Sequence, residues 1–248
     1  MSVKPIREHH GKAILQRWLP EFSNGKHKMG SAGVLVTPEV LDPTSGATWK
    51  HIEQGNPWIM QERLVAKPDQ LIKRRGKAGL LCVNQTYAES RAWIMDRMCK
   101  DVKVETVTGQ LTHFLIEPFV PHQQSEEHYI CIHSCRYYDE ILFYHEGGVD
   151  VGDVDAKAEK LQIATGASLT PDAVKAQLLK YVPELKKDNL CSFVMTLYNL
   201  YTALHFAYLE INPLVMLSDG SVVPLDMAAK LDETANFVCA QKWGEVDW

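Results

Sequence analysis

One segment near the C-terminal end of the chain predicts both a pair of strands and the direction of its side chains. The run AYLEINPLVML is followed by SDG and then by SVVPLDMAA, which is typical of a β-hairpin that turns at its Asp-Gly pair. Because successive side chains on a strand point to opposite faces, Glu210 and Asn212 share one face, and Leu209 and Ile211 share the other. We expect the apolar pair to face the core.

The length of the turn decides whether two oxygen-bearing side chains meet across this hairpin. Asn212 lies seven residues before Asp219, and Asp226 lies seven residues after it. A three-residue loop centred on Asp219 places Asn212 directly opposite Asp226, and two such oxygens suit a hard cation such as Mg²⁺. A two-residue turn at Asp219-Gly220 would instead send Asp226 to the other face. Ordinary polar positions on the outer face are the alternative to a metal site.

Two further segments bring charge and glycine together. The first, KPDQLIKRRGKAG (67–79), could let backbone N–H groups approach phosphates while its cations neutralise them, although it lacks the spacing of a Walker A motif. The second, HEGGVDVGDVD (145–155), packs four carboxylates and three glycines into eleven residues, and these acids repel one another unless a cation, a lysine or water compensates. Solvated turns remain the alternative for both segments.

The other elements follow from apolar spacing and turn formers. Helices are expected over residues 6–19, from Thr86 to Cys99, and from Pro171, with Thr170 as its cap, to Tyr181. A further helix would bury one stripe formed by Phe193, Val194, Leu197, Leu200, Tyr201 and Leu204. Strands are expected at LVAKP and LLCVN, and three adjacent strands at FLIEPFV, YICIHSC and EILFY. Residues 23–56 are expected to be irregular, interrupted by VLVT.

Composition limits the classes of partner and compartment. A chain of 248 residues that is 46% hydrophobic can bury the core of one large domain or of two small lobes. With 26 basic and 31 acidic residues and no long basic block, nucleic acid is not expected as a partner. Neither a signal peptide nor an apolar run of about 18 residues is present, so we expect a cytoplasmic protein with no membrane partner.

The cysteines do not show the paired spacing of a zinc site, and we expect all six to be free thiols. Cys131, His133 and Cys135 alternate along one predicted strand and would share a face, as in a partial metal site. Ordinary strand residues are the favoured interpretation, because no fourth ligand is near.

Five stretches together resemble the amino-terminal ATP-grasp region of the ATP-citrate lyase family: VAKPDQLIKRRGKAGLL, FLIEPFVPH, FYHEGGVDVGDVDAKAEKL, YLEINPLV and LDMAAKLDETANF. The resemblance runs from about Lys4 to Trp243, and the β subunit of succinyl-CoA synthetase is similar more distantly. It implies an α/β (α+β) ATP-grasp fold with two lobes and the nucleotide in the cleft between them. The first lobe would be residues 1–110 and the second residues 111–248. Residues 28–48 show no clear counterpart.

The resemblance also implies roles for individual residues, with ATP or ADP and Mg²⁺ as cofactors. Asn212 and Asp226 would be the magnesium ligands, and Glu210, the one catalytic candidate, would face a segment that carries a phosphorylatable histidine. The residues implied in nucleotide binding are Lys67 and Arg75 as cations on the phosphates, Gly76 in the same loop, Glu117, Pro118, Phe119 and Val120 along the adenine, Glu127 at the ribose, and Glu146, Gly147 and Gly148 on the phosphate side.

The reaction implied by the family makes acetyl-CoA and oxaloacetate from citrate, CoA and ATP. The phosphohistidine, citrate and CoA sites have no matching segment here, so we expect them on further domains or on another subunit. The full enzyme would then be a homo- or hetero-oligomer. Two other functions stay open at this point: the β chain of an acyl-CoA synthetase of the succinyl-CoA synthetase type, and a nucleotide-binding assembly module without turnover.

Overall fold

The computed structural model describes residues 2–72, 75–148, 152, 154–217, 219 and 221–245 of the chain. They form two compact units, each described by itself. The terminal unit consists of Met1–Gly30 and His122–Trp248, and the central unit is Ser31–Pro121. This division differs from the predicted one, which separated residues 1–110 from residues 111–248. The first thirty residues lie with the C-terminal part because the first strand pairs with the last one.

The described residues form thirteen strands and seven α-helices. The strands are β1 (Val3–Ile6), β2 (Val34–Val36), β3 (Leu64–Pro68), β4 (Cys82–Gln85), β5 (Asp101–Val104), β6 (Val107–Gln110), β7 (Phe114–Pro118), β8 (Glu127–Ser134), β9 (Tyr138–Tyr144), β10 (Glu159–Ala164), β11 (Phe206–Met216), β12 (Val222–Pro224) and β13 (Met227–Asp232). The helices are α1 (Glu8–Phe22), α2 (Trp49–Gly55), α3 (Tyr87–Arg97), α4 (Val154–Lys157), α5 (Pro171–Ala173), α6 (Glu184–Ala203) and α7 (Asn236–Trp243).

The terminal unit is built on one antiparallel sheet. Its strand order is β1-β13-β11-β8-β9-β10, and β12 also pairs with β11. Helix α1 contacts α6 and β13, and α6 contacts β11. Their apolar side chains form one core with the facing side of the sheet, which buries the alternate residues Leu209 and Ile211 completely. The other side of the sheet therefore carries Glu210 and its neighbours.

The central unit has a second antiparallel sheet in the order β2-β7-β3-β4, beside a separate β5-β6 hairpin. Helix α3 contacts β3 and β4. It begins at a capping box, in which the Thr86 backbone N–H donates to Glu89 at 2.8 Å and the Thr86 side chain accepts from the Glu89 N–H. This pattern explains why the predicted start at Thr86 is confirmed.

Most of the predicted elements are present, with corrections at their ends and in their pairing. Strand LVAKP coincides with β3, VLVT contains β2, and the apolar stripe of α6 is buried. The first helix begins at Glu8, because Ile6 belongs to β1. The helix from Pro171 continues only to Leu178, with a π-helical segment from Val174. Its cap is confirmed, because the Thr170 hydroxyl accepts from the Ala173 N–H at 3.3 Å.

The expectation of three adjacent strands between residues 113 and 143 is wrong for the first of them. Strands β8 and β9 pair with each other, but the hydrogen bonds of β7 go to β2 and β3 in the central unit. Strands β1, β5, β6 and β10 and helices α2, α4 and α7 were not predicted. Helix α2 lies within residues 23–56, which were expected to be irregular. Among the described residues, no helix is both long and apolar enough to cross a membrane.

Candidate functional site

The hairpin near the C-terminus has the register that brings Asn212 opposite Asp226. Val215 pairs with Val223 on β12, and Ile211 pairs with Met227 on β13, so both sides of the turn are centred on Asp219. The Asn212 N–H donates to the Asp226 carbonyl at 3.0 Å. The predicted three-residue loop is confirmed, because the Leu217 N–H donates to the Ser221 carbonyl at 3.0 Å. The Cβ atoms of directly opposite residues lie about 5 Å apart, so both side chains are within reach of one cation.

A buried ion pair anchors the segment that precedes Asp226. The Lys12 Nζ atom lies 2.8 Å from Glu8 Oε1 on α1, and both side chains are almost fully buried. The same ammonium donates to the Leu225 carbonyl at 2.9 Å. Helix α1 thereby holds the backbone next to a candidate metal ligand. Sequence reasoning missed Lys12, since nothing in its local pattern points to a residue so far along the chain.

The Asn212 side chain also holds the glycine loop. Its Oδ1 atom accepts a hydrogen bond from the Gly148 N–H at 2.9 Å. Gly148 has a positive φ of 96°, and a Cβ atom there would overlap Glu127 Oε2. A Cβ atom on Gly147 would come within 2.6 Å of the His128 carbonyl oxygen. Both glycines are therefore required by close approach to β8, and they bring Glu127, Gly147, Gly148 and Asn212 together.

His128 supports this loop from inside the core. It is 2% exposed, and its Nδ1 atom hydrogen-bonds the His145 carbonyl at 3.0 Å. A carbonyl oxygen only accepts, so Nδ1 carries the proton and Nε2 does not. Nε2 is buried with no hydrogen-bond partner among the described residues. Burial is the main reason that the pKa of His128 falls to about 4, so the ring is neutral at neutral pH.

Glu210 lies among tyrosines and a thiol on the side of the sheet away from α1 and α6. The Tyr208 hydroxyl donates to Glu210 Oε2. Cys131 is directly opposite Glu210 on β8, and burial raises the pKa of its thiol to about 12. Burial also raises the pKa of Tyr208, so both groups stay protonated and uncharged at neutral pH. Tyr208 could have been found from the sequence, because residues two apart on a strand share a face.

Lys67 and Glu117 form a buried ion pair in the central unit. Lys67 Nζ on β3 lies 2.7 Å from Glu117 Oε2 on β7, and the side chains are 4% and 12% exposed. Strand register explains the contact, since Val65 is the direct partner of Glu117 and Lys67 is two residues further along. A second anion beside Lys67 would have to share the lysine with this carboxylate. The pair places one cation and one carboxylate at the same end of the central sheet.

The basic loop after β3 is closed by its own backbone and by Arg75. The buried Arg75 guanidinium donates to the Pro68 carbonyl at 2.6 Å, and the Leu80 N–H donates to the Arg75 carbonyl at 2.9 Å. Gly76 accepts from the Gly79 N–H at 3.1 Å. Arg75 therefore joins the start of the loop to its end. Two other basic residues of the predicted loop, Lys73 and Arg74, lie outside the described residues.

The remaining candidates are at the ends of their strands. Glu117 and Pro118 end β7, the Phe119 N–H donates to the Arg63 carbonyl at 2.7 Å, and Val120 follows outside the strand. Glu127 begins β8, and its Oε1 atom lies 2.9 Å from His122 Nε2. Glu146 is exposed and accepts from the Tyr144 hydroxyl at 3.4 Å.

The candidates thus fall into two groups. Lys67, Arg75, Gly76 and residues 117–120 belong to the central unit, and Glu127, residues 146–148, Glu210, Asn212 and Asp226 belong to the terminal unit. Within each unit the structure brings several of them into contact. Two acids of the predicted acidic turn, Asp150 and Asp153, lie outside the described residues, as does Gly220 of the hairpin loop.

The oxygen atoms of the hairpin fit a cation that keeps most of its water ligands. Asn212 Oδ1 has two lone pairs, and Gly148 uses one of them. Asp226 adds a half-buried carboxylate. Mg²⁺ is commonly held by one or two protein oxygens together with waters and phosphates. In the described part of the chain, no group of three His, Cys, Asp or Glu side chains is placed to hold a metal. Cys131, His133 and Cys135 therefore do not form such a site.

Comparison with known proteins shows the family of the chain. A family model described as the ATP-citrate synthase ATP-grasp domain matches residues 2–243. The chain belongs to this family. The matched span includes residues 28–48, which were expected to have no clear counterpart in the family. The ATP-grasp fold inferred from the sequence is confirmed at the level of the family.

Similar proteins carry this domain within longer chains. ATP-citrate synthase of Homo sapiens is 47% identical over 248 residues, which cover 100% of this chain and 22% of that protein. ATP-citrate synthase alpha chain protein 1 of Arabidopsis thaliana is 32% identical, and the match covers 100% of this chain and 56% of that protein. The structure of ATP citrate lyase from Methanothrix soehngenii in complex with citrate and coenzyme A matches with a TM-score of 0.85 and 33% identity, covering 100% of this chain and 55% of that one.

These ATP-citrate synthases contain further sequence beyond the part that this chain matches. The chain spans between 22% and 56% of the length of the two curated relatives named above. Further sequence therefore belongs to these relatives beyond the matched part.

Proposed function

We propose that this chain binds ATP with Mg²⁺ and serves the phosphoryl-transfer step of an ATP-citrate synthase, which makes acetyl-CoA and oxaloacetate from citrate, CoA and ATP. The observation that carries the proposal is the pairing of Asn212 with Asp226 across the hairpin, beside the Gly148 N–H that Asn212 holds. Membership of the ATP-grasp family supports the choice of nucleotide. A metal bound there would supply charge neutralisation on the phosphates.

The protein groups of the terminal unit would position the phosphates around that point. Asn212 and Asp226 supply oxygen ligands, and the glycine loop brings backbone N–H groups close because neither Gly147 nor Gly148 has room for a side chain. Glu127, joined to His122, is the acceptor for the ribose hydroxyls. Glu146 lies at the start of the same loop. Phosphoryl transfer needs mainly positioning and charge neutralisation, and these groups are of the right kind for both.

The central unit would supply the cations and the adenine contacts. Lys67 gives up part of its contact with Glu117 to a phosphate. Arg75 is the second cation on the phosphates and also keeps the loop folded, and Gly76 lets the loop approach the nucleotide. The backbone of residues 117–120 supplies hydrogen bonds to adenine. Glu210, with Tyr208 as its hydrogen-bond donor, faces the segment that receives the phosphoryl group. We infer that this segment and the citrate and CoA sites come from further domains or from a partner subunit in the oligomeric enzyme.

A thermal-shift series tests nucleotide binding directly. A ligand that binds only the folded state adds roughly 2.7 kcal/mol of stability at a hundredfold excess over its dissociation constant. We expect MgATP and MgADP to raise the melting temperature in proportion to the logarithm of their concentration, and AMP to raise it least. The proposal is wrong if no magnesium nucleotide raises the melting temperature at millimolar concentration.

A further inference from the structure

The turn between β8 and β9 holds a thiol, an imidazole and a carboxylate in contact. Cys135 Sγ lies 3.6 Å from His133 Nδ1, and His133 Nε2 lies 3.2 Å from Glu140 Oε2. Gln162 on β10 donates from Nε2 to the other carboxylate oxygen of Glu140 at 2.8 Å. The four side chains form a continuous hydrogen-bonded chain that none of the roles above uses.

The direction of the hydrogen bonds in this chain follows from the chemistry of its ends. An ionised carboxylate only accepts, so the bond from His133 to Glu140 places the ring proton on Nε2. The Nδ1 atom of a neutral ring is then an acceptor, and the Cys135 thiol is its donor. A nucleophile beside a base that a third group orients is the arrangement that activates cysteine and serine nucleophiles.

The turn itself is fixed in place. The Cys135 N–H donates to the Tyr138 carbonyl at 2.8 Å, and the Ser134 hydroxyl donates to Asp139 Oδ1 at 2.7 Å. The Tyr198 hydroxyl on α6 donates to Asp139 Oδ2 at 3.0 Å. These bonds fix the backbone of the turn and keep the Cys135 thiol beside His133.

The other cysteines differ from Cys135 in solvent exposure or in the hydrogen-bond partners of the thiol. Burial raises the pKa of four thiols and removes them from solvent: Cys82, Cys131, Cys191 and Cys239. Cys99 is half-buried, as Cys135 is, but the described residues supply no side-chain hydrogen bond to its thiol. Cys99 is thus an internal control of similar exposure.

We propose that Cys135 is a modification site for small-molecule disulfides, with His133 as its base and Glu140 as the residue that orients the base. His133 Nδ1 takes the thiol proton as Sγ attacks one sulfur of the disulfide. A new S–S bond forms to Cys135, the disulfide bond of the reagent breaks, and the released thiolate takes the proton from His133. One thiol is oxidised to the mixed disulfide and one reagent sulfur is reduced, so no other reactant is needed.

Oxidised glutathione is the probe for the test. The reduced, folded chain is incubated with it, samples are quenched in acid over time, and fragment-ion mass spectrometry locates the adduct on each cysteine. We expect Cys135 to be modified about tenfold or more faster than Cys99, since reactivity follows access and a base at the thiol. Modification of Cys99 at the same rate or faster would overturn the proposal.

Two substitutions separate the proposed base from simple exposure. His133→Phe removes the base, and Glu140→Gln keeps the size of the side chain while removing its charge. We expect either variant to reduce the rate at Cys135 towards that of Cys99 without changing the rate at Cys99, with folding checked by circular dichroism. An unchanged rate at Cys135 in the folded Glu140→Gln variant, or in the folded His133→Phe variant, would contradict the assigned roles.

Discussion

His128 illustrates at the scale of a residue how a buried polar group supports the site. Its folded pKa of about 4 lies below the unfolded value of 6.5, so the unfolded chain binds more protons between these values. The contribution of His128 to stability is complete above pH 6.5 and is lost as the pH falls towards 4. The free energy of unfolding changes by on the order of 3 kcal/mol over this pH range, at 1.36 kcal/mol per pKa unit.

The test compares the free energy of unfolding of wild type and His128→Asn between pH 4 and pH 7.5. Asparagine keeps a donor near the position of Nδ1 but does not titrate. We expect the variant to lose less stability on acidification than wild type does. Parallel pH profiles for wild type and His128→Asn would show that His128 does not titrate as described.

Residue patterns predicted which side chains of the hairpin face the core, but they did not predict the contact between Lys67 and Glu117 in the central unit. The alternation of Leu209 and Ile211 with Glu210 and Asn212 follows from strand geometry alone, and burial confirms it. Lys67 was identified only as a phosphate cation, and its contact with Glu117 depends on the register of β3 against β7. Register is set by hydrogen bonding between distant segments, which spacing within one segment does not reveal.

Among the loops that connect the elements, the one after β9 places Gly148 against Glu127, whereas Gly166 in the loop after β10 has open space around it. Gly148→Ala would force a side chain against Glu127 at a positive φ, and Gly166→Ala would add a side chain at a similar φ, 82°, in open space. The backbone strain, about 1–2 kcal/mol, is common to both. We expect Gly148→Ala to lose more stability than Gly166→Ala and to weaken nucleotide binding as well. Equal losses of stability with unchanged binding would show that the close approach at Gly148 has no functional consequence.

The strands that sequence reasoning missed share short length or an edge position. Strand β1 has four residues and carries Pro5, and within the described part of the chain it pairs only with β13. Strand β10 was overlooked although Leu161 and Ile163 alternate with polar residues and are buried. By contrast, β3 and α3 are marked by local signals, an apolar run and a capping box, and were found. Local chemistry predicts that a strand or helix forms more readily than it predicts which strand pairs with it.

At the scale of the whole molecule, the two units divide the candidate groups between them. The chain matches only part of its relatives, so a nucleotide-binding part is expected to need the remaining sequence for the coupled reaction. Holding the reactants together lowers an activation barrier by about 7–11 kcal/mol, and a part that holds only ATP lacks most of this advantage.

A coupled assay for oxaloacetate, with citrate, CoA and ATP, tests this division of roles. We expect the 248-residue chain alone to show only slow ATP hydrolysis, and citrate-dependent product to appear when the complementary part of the enzyme is added. Full turnover by the chain alone would contradict the division. Lack of product after complementation, with nucleotide binding intact, would argue against the proposed synthase activity while leaving the nucleotide site in place.

Calorimetric measurement of ADP binding, with and without Mg²⁺, to Asn212→Ala and Asp226→Asn tests whether the two side chains bind the metal. If these side chains act through the ion, Asp226→Asn weakens binding in magnesium and leaves metal-free binding nearly intact. Asn212→Ala also releases the Gly148 N–H, so it weakens binding in magnesium more than it weakens metal-free binding. Asp219→Asn, at the exposed turn of the same hairpin, is the matched control and should bind as wild type does in both conditions. Equal weakening of metal-free and magnesium-dependent binding in both variants would contradict the assignment of Asn212 and Asp226 as metal ligands.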